Sequence, residues 1–168
     1  MAYGDLGSIV DTLSYAAASA HCSENAHVVD DIFCVSCRWG SAQNHVFTFS
    51  IDAAGQISDT VIDDINHATG ITDDRNCLCK VTDSIYAIAM VNMSYQLVID
   101  TIQIYANGQI KDTCVDKHVF ATINSLPGKL EKCGPGYLAL AFDTYPAHIG
   151  HLSTFHIYPD GYCTYYKE

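Results

Sequence analysis

The sequence predicts an all-β chain built from one four-stranded antiparallel unit used three times. Three observations carry this. The string Gly-Gln-Ile-x-Asp-Thr stands at Gly55 and again at Gly108, with a close relative, GSIVDT, at Gly7 and a degraded one, GYCTYY, at Gly161. A second string recurs ahead of the later copies: IFCVSC ending at Cys37, IYAIAM ending at Met90 and YLALAF ending at Phe142. Within these strings large and small residues alternate at period two, as in a strand packed on both faces. A period of about fifty residues denotes one supersecondary unit copied in tandem.

The elements follow in order along each copy. First strands are predicted near 25–29, 78–82 and 130–133, and second strands at the recurring apolar strings. Ile32, Ile85 and Tyr137 form one column of the second strand, and Val35, Ile88 and Leu140 another. Cys34, Ala87 and Ala139 lie between them, then Ser36, Ala89 and Ala141. Such a small column fits a face that a neighbour approaches closely. Third strands align without gaps at a spacing of 53: Phe49, Ile102 and Phe155, then Ile51, Ile104 and Ile157 on the same face, with Thr48, Thr101 and Thr154 on the other. Each runs into Ala-Gly, Asn-Gly or Asp-Gly at Gly55, Gly108 and Gly161, which predicts a tight hairpin. The QISDTVID stretch and its equivalents are the expected fourth strands. SYAAASAH, at 14–21, is the one candidate for a short helix.

Four short antiparallel strands per copy define a propeller blade. Over nearly its whole length the chain resembles tandem β-propeller repeat proteins, on the IYAIA string, the apolar strand after it, the Asn/Asp-Gly turn and the I-x-D-T strand. It lacks the WD dipeptide and the Kelch double glycine. The resemblance implies an architecture, not an activity. The predicted division is an extra fourth-type strand and connector over 1–22, then blades over 23–70, 71–123 and 124–168, in one domain. Three blades do not close a ring, since propellers have about four to eight. The expectation is therefore completion by oligomerisation, or origin in a longer propeller. In the first case GSIVDTLSY of one subunit completes or caps the last blade of its neighbour. The product is a six-bladed homodimer or a head-to-tail polymer.

Composition excludes several classes. The chain is 49% hydrophobic and 16% charged, which excludes disorder. No apolar run approaches the ~18–20 residues of a membrane helix. The net charge of −11 argues against a nucleic-acid partner. MAYGDLGSIV has neither a basic nor an apolar signal region, so the default compartment is cytoplasmic. For a processed or packaged chain it is extracellular or particle-associated.

Cys34 and Cys37 form a CxxC, but on a strand positions three apart face opposite ways, so the zinc reading yields to packing. Cys77 and Cys79 share a face, and a metal pair there ranks below buried thiols. Without a signal peptide, reduced cysteines are expected. The histidines show no H-E-x-x-H or triad context, and no pair of carboxylates is marked as facing each other. Neither a cofactor nor a metal is expected.

Two columns are candidate ligand sites. The loop after each second strand carries one aromatic among polar groups: Trp39, Tyr95 and Tyr145. Such rings suit sugar stacking, and short propeller chains that assemble into rings resemble certain lectins in this. The alternative is packing over the blade end. His27, Lys80 and Lys132 share a first-strand column, where a ring of cations would hold a small anion. The expected function is a non-enzymatic, self-assembling binding module, lectin-like in recognising carbohydrate or a small anion. The alternatives are a structural subunit of a shell or filament and a carbohydrate-active enzyme.

Overall fold

A computed structural model describes residues 11–14, 20–40, 43–69, 75–121, 125–144 and 146–165. Every regular element among them is a strand. Blade 1 holds β1 (Ala20–Val29), β2 (Ile32–Trp39), β3 (Gln43–Ser50) and β4 (Asp63–Thr69). Blade 2 holds β5 (Cys77–Lys80), β6 (Ile85–Val91), β7 (Leu97–Gln103) and β8 (Asp116–Ala121). Blade 3 holds β9 (Ser125–Gly134), β10 (Tyr137–Thr144), β11 (Ile149–Ile157) and β12 (Cys163–Tyr165). Each is a four-stranded antiparallel sheet whose strands neighbour one another in chain order.

The blades pack face to face, which explains the large–small alternation. Tyr86 and Ile88 join Val28, Cys34 and Val46 in the core between blades 1 and 2. Ile85, Ala87, Ala89 and Val91 join Leu130, Leu138 and Leu140 between blades 2 and 3. On second strands, the column of Val35, Ile88 and Leu140 thus faces backward along the chain, and that of Cys34, Ala87 and Ala139 faces forward. The central strand β6 is buried at every residue. Each large aliphatic side chain buried there stabilises the fold by about 1.5–3 kcal/mol.

A set of polar bonds stitches each blade to the next. Thr48 Oγ1 donates to the Gly108 carbonyl and Thr101 Oγ1 to the Gly161 carbonyl, both at 2.6 Å. Asp63 Oδ2 accepts from the Ile110 amide at 2.8 Å, and Asp116 Oδ2 from the Cys163 amide at 2.9 Å. In the other direction Lys80 Nζ donates to the Val28 carbonyl, and Lys132 Nζ to the Val81 carbonyl. The turn glycines are required twice over. Gly108 and Gly161 have φ of +83° and +95°, and a Cβ on Gly161 would stand 2.7 Å from Val115 Cγ1 of the preceding blade.

Two expectations need correction. QISDTVID is not a strand: Ile57 and Ile110 make single bridges to Ile51 and Ile104, and the fourth strands begin only at Asp63 and Asp116. Between them Ser58 and Thr60 bond to each other locally, which competes with the ladder. The second concerns the N-terminal segment. Gly7–Val10 lie outside the described residues, and Asp11–Ser14 form no assigned strand. The GSIVDT string places Asp11 in the column of Asp59 and Asp112, yet its bonds are those of Asp63 and Asp116. Asp11 Oδ2 accepts from the Ile57 amide at 2.8 Å, and Oδ1 accepts from the Thr12 amide at 2.7 Å. Asp63 and Asp116 likewise accept from the amides that follow them, Asp64 and Lys117. The helix candidate lies mostly outside the described residues, and its last two residues belong to β1.

The two ends of the arc differ. On blade 1 the backward face buries Val35, Cys37 and Phe47. On blade 3 the forward face is open: Tyr137 is 44% and Leu152 73% exposed. Ile85, in the column of Tyr137, is 2% exposed.

Candidate functional site

The interface between blades 1 and 2 departs from the repeat at one place. Between blades 2 and 3 that place is filled by aromatics: Phe120 of β8 lies 4.6 Å from Phe155 and 5.7 Å from Phe142, centroid to centroid. One repeat earlier these positions are His67, Ile102 and Met90, and Asp100 stands where blade 3 has Ser153. Strand alternation aims Asp100 at blade 1 with Ile102 and Ile104, and aims His67 at blade 2 with Ile65.

The result is a buried polar cluster. His67 Nδ1 lies 3.2 Å from Asp100 Oδ2, and both side chains are fully buried. Lys117 Nζ, on a half-exposed side chain, lies 3.3 Å from the same oxygen. Cys114 Sγ stands 3.4 Å from the His67 carbonyl oxygen and 3.8 Å from Asp100 Oδ2. Burial and then the Asp100 charge push the Cys114 thiol up to about 12, so it is protonated at neutral pH. His67 Nε2 and Asp100 Oδ1 are buried without a hydrogen-bond partner. His67, Asp100 and Cys114 each offer one ligand atom, these atoms lie within 4.8 Å of one another, and they hold the donor types of a zinc site.

Beside this cluster a cleft of about 180 Å³ opens between the blades, lined by Ala68, Thr69, Met90, Asn92, Val98 and Lys117. Its wall is the β6–β7 loop, which Asn92 braces. Asn92 Oδ1 accepts from the amides of Ser94 at 2.9 Å and Gln96 at 3.0 Å, and Nδ2 donates to Gln96 Oε1 at 2.9 Å. Tyr95 sits on this loop at φ +57° and is 55% exposed. Met90 also receives Asn44 Nδ2 at 3.4 Å, and Asn44 Oδ1 accepts from Ser36 and Asn76.

The sequence-derived candidates are placed as follows. Tyr95 presents its ring to solvent. Trp39 lies half-buried on its own blade, 4.5 Å from His45 and 5.6 Å from Phe47. Tyr145 is outside the described residues. The His27, Lys80 and Lys132 column spends polar atoms on three separate carbonyls: His27 Nε2 lies 2.8 Å from the Asp30 oxygen, and each lysine reaches back to the preceding blade. Cys34 and Cys37 pack on opposite faces of β2. Sequence reasoning missed His67, Asp100 and Lys117. The available signal was a charged residue in a buried column, Asp100 between Phe47 and Ser153.

No protein-family model matches the chain, and no curated protein matches it in sequence. Solved structures do resemble it. One is the periplasmic gluconolactonase PpgL of Pseudomonas aeruginosa, with a TM-score of 0.55 and 10% identity over 77% of this chain. Another is Sqt1 of Chaetomium thermophilum, with a TM-score of 0.57 and 12% identity over 93% of this chain. The chain spans 37% of the length of each. At such identity the likeness speaks to fold alone: this is an all-β chain of β-propeller architecture.

Proposed function

We propose that the chain is a binding module whose ligand site is the cleft between blades 1 and 2. One observation supports this most directly. The same position in the next interface is closed by Phe120, Phe142 and Phe155, whereas here it holds a buried carboxylate, an imidazole, an ammonium and an open cleft. Buried polar groups cost stability against an apolar isostere, and ligand binding is a reason to retain them. The cleft is smaller than the roughly 300–1,000 Å³ of drug-sized pockets, so it suits one sugar ring or a small hydroxy acid. Apolar Ala68, Met90 and Val98 face a ring, while Thr69 and Lys117 offer hydrogen bonds. The exposed Tyr95 ring provides a stacking surface on the adjoining loop.

A glycan array followed by calorimetry on the hits tests this. Asp100→Asn keeps the shape and removes the charge that holds Lys117, and Lys117→Met removes the ammonium. Each is expected to weaken binding at least tenfold; unchanged affinity in both overturns the assignment. The carbohydrate-active alternative rests on the His67–Asp100 pair buried beside the cleft, since the protonated Cys114 is a poor nucleophile. Turnover of a bound sugar or sugar lactone that is lost in Asp100→Asn would decide for the enzyme, and binding without turnover for the module.

A further inference from the structure

The edge of β11 is half covered. In blade 1 the Gln43–Thr48 part of the third strand pairs with β4, starting from Thr48 opposite Asp63. In blade 2 the Leu97–Thr101 part pairs with β8, starting from Thr101 opposite Asp116. In blade 3, β12 reaches only Phe155, Ile157 and the residue between them. The remainder, Ile149–Thr154, has no fourth-strand partner among the described residues, and Thr154 there receives no turn glycine of a following blade. Asp11 has the opposite deficit. It makes both bonds of Asp63 and Asp116, including the one to the blade that follows, Ile57 in its case. No third strand flanks it among the described residues.

We infer that Asp11–Ser14 of one copy is the fourth strand of blade 3 in a second copy, with a fixed register. Asp11 falls opposite Thr154, as Asp63 and Asp116 fall opposite Thr48 and Thr101. Thr12 then faces Ser153, Leu13 faces Leu152, and Ser14 faces His151. The exposed Leu152 thereby gains an apolar partner where blade 1 pairs Val46 with Ile65. Blade 1 of the donor becomes the blade that follows the acceptor's blade 3, and its Gly55 carbonyl receives Thr154 Oγ1 as Gly108 receives Thr48. Closure within one chain is ruled out by position. Asp11 bonds to blade 1, the open edge belongs to blade 3, and blade 2 packs between them. The surface fits a second copy of this chain, whatever the ligand of the cleft.

Light scattering with size-exclusion chromatography at about 50 μM is expected to give twice the chain mass or a higher multiple. Leu152→Asp, at an exposed position, is expected to weaken assembly at least tenfold with an unchanged circular dichroism spectrum. Monomer mass for the unaltered chain, or an assembly indifferent to Leu152→Asp, overturns the inference. Register is read by mixing two single variants, Leu13→Cys and Leu152→Cys, under mild oxidation. A disulfide between copies, mapped by mass spectrometry to that pair, is expected. Cross-linking that instead prefers Leu13→Cys with His156→Cys overturns the register.

Discussion

Replacing Thr101 by valine tests the inter-blade stitching directly. The Thr101 side chain is fully buried, and its hydroxyl is 2.6 Å from the carbonyl of Gly161, itself buried. Valine keeps the shape and removes the donor. What is lost is then the satisfaction of a buried acceptor, which costs about 1–3 kcal/mol, more than the net worth of an ordinary neutral hydrogen bond. The added methyl recovers up to ~0.8 kcal/mol through its apolar surface. The net expectation is a loss of about 1–2 kcal/mol. For a chain of this size each kcal/mol lowers the melting temperature by about 2–4 °C, so the shift is roughly 2–8 °C. Urea denaturation gives the free energy, with an unchanged slope showing that only stability moved. Thr101→Ser keeps the donor and serves as the control. Loss below ~0.5 kcal/mol in the valine variant, or equal loss in both, would refute a stitching role for the hydroxyl.

Three further predictions follow from titratable groups. Burial pulls His45 below its ordinary 6.5, the neighbouring Asp64 opposes this, and His67 adds to it. As pH falls below 6.5 the unfolded chain takes up a proton that folded His45 resists, so stability declines with acidification; His45→Phe should flatten the slope of denaturation midpoint between pH 5 and 7. Burial raises the thiols of Cys34, Cys77, Cys114 and Cys163 to about 12. Iodoacetamide at pH 8 should therefore label the exposed Cys133 first and leave these four until the chain unfolds, as read by peptide mass mapping. Stability should also fall as pH rises past 9, because the unfolded thiols ionise before the folded ones.

Much of the architecture was legible because a tandem copy reports each strand several times. The columns of Ile88 and Ala87 mark opposite strand faces in the sequence alone, and those faces are the two interfaces of blade 2. The Gly55, Gly108 and Gly161 turns were legible for a steric reason: all three have positive φ. The same reliance on likeness misled at Asp11. GSIVDT resembles GQISDT in letters, but the bonding equivalent of Asp11 is Asp63, four residues beyond Asp59, because the local Ser58–Thr60 turn diverts the chain first. The cleft was illegible for the complementary reason. Repetition emphasises what the copies share, and Asp100 matters through what its copy does not share. Its distance from His67 depends on how two blades meet, which no single repeat contains.

The lysines of the first strands carry a consequence of their own. Each reaches back to a carbonyl of the preceding blade, while Thr48 and Thr101 reach forward to the turn that follows. An interface built this way has polarity, with unlike groups on its two sides. Adding a unit consumes one set of groups and regenerates the same set one step further on. Nothing in such a junction counts. How many units come together is decided by the angle through which each turns from the last, so duplication of the gene segment extends the arc without inventing a new surface.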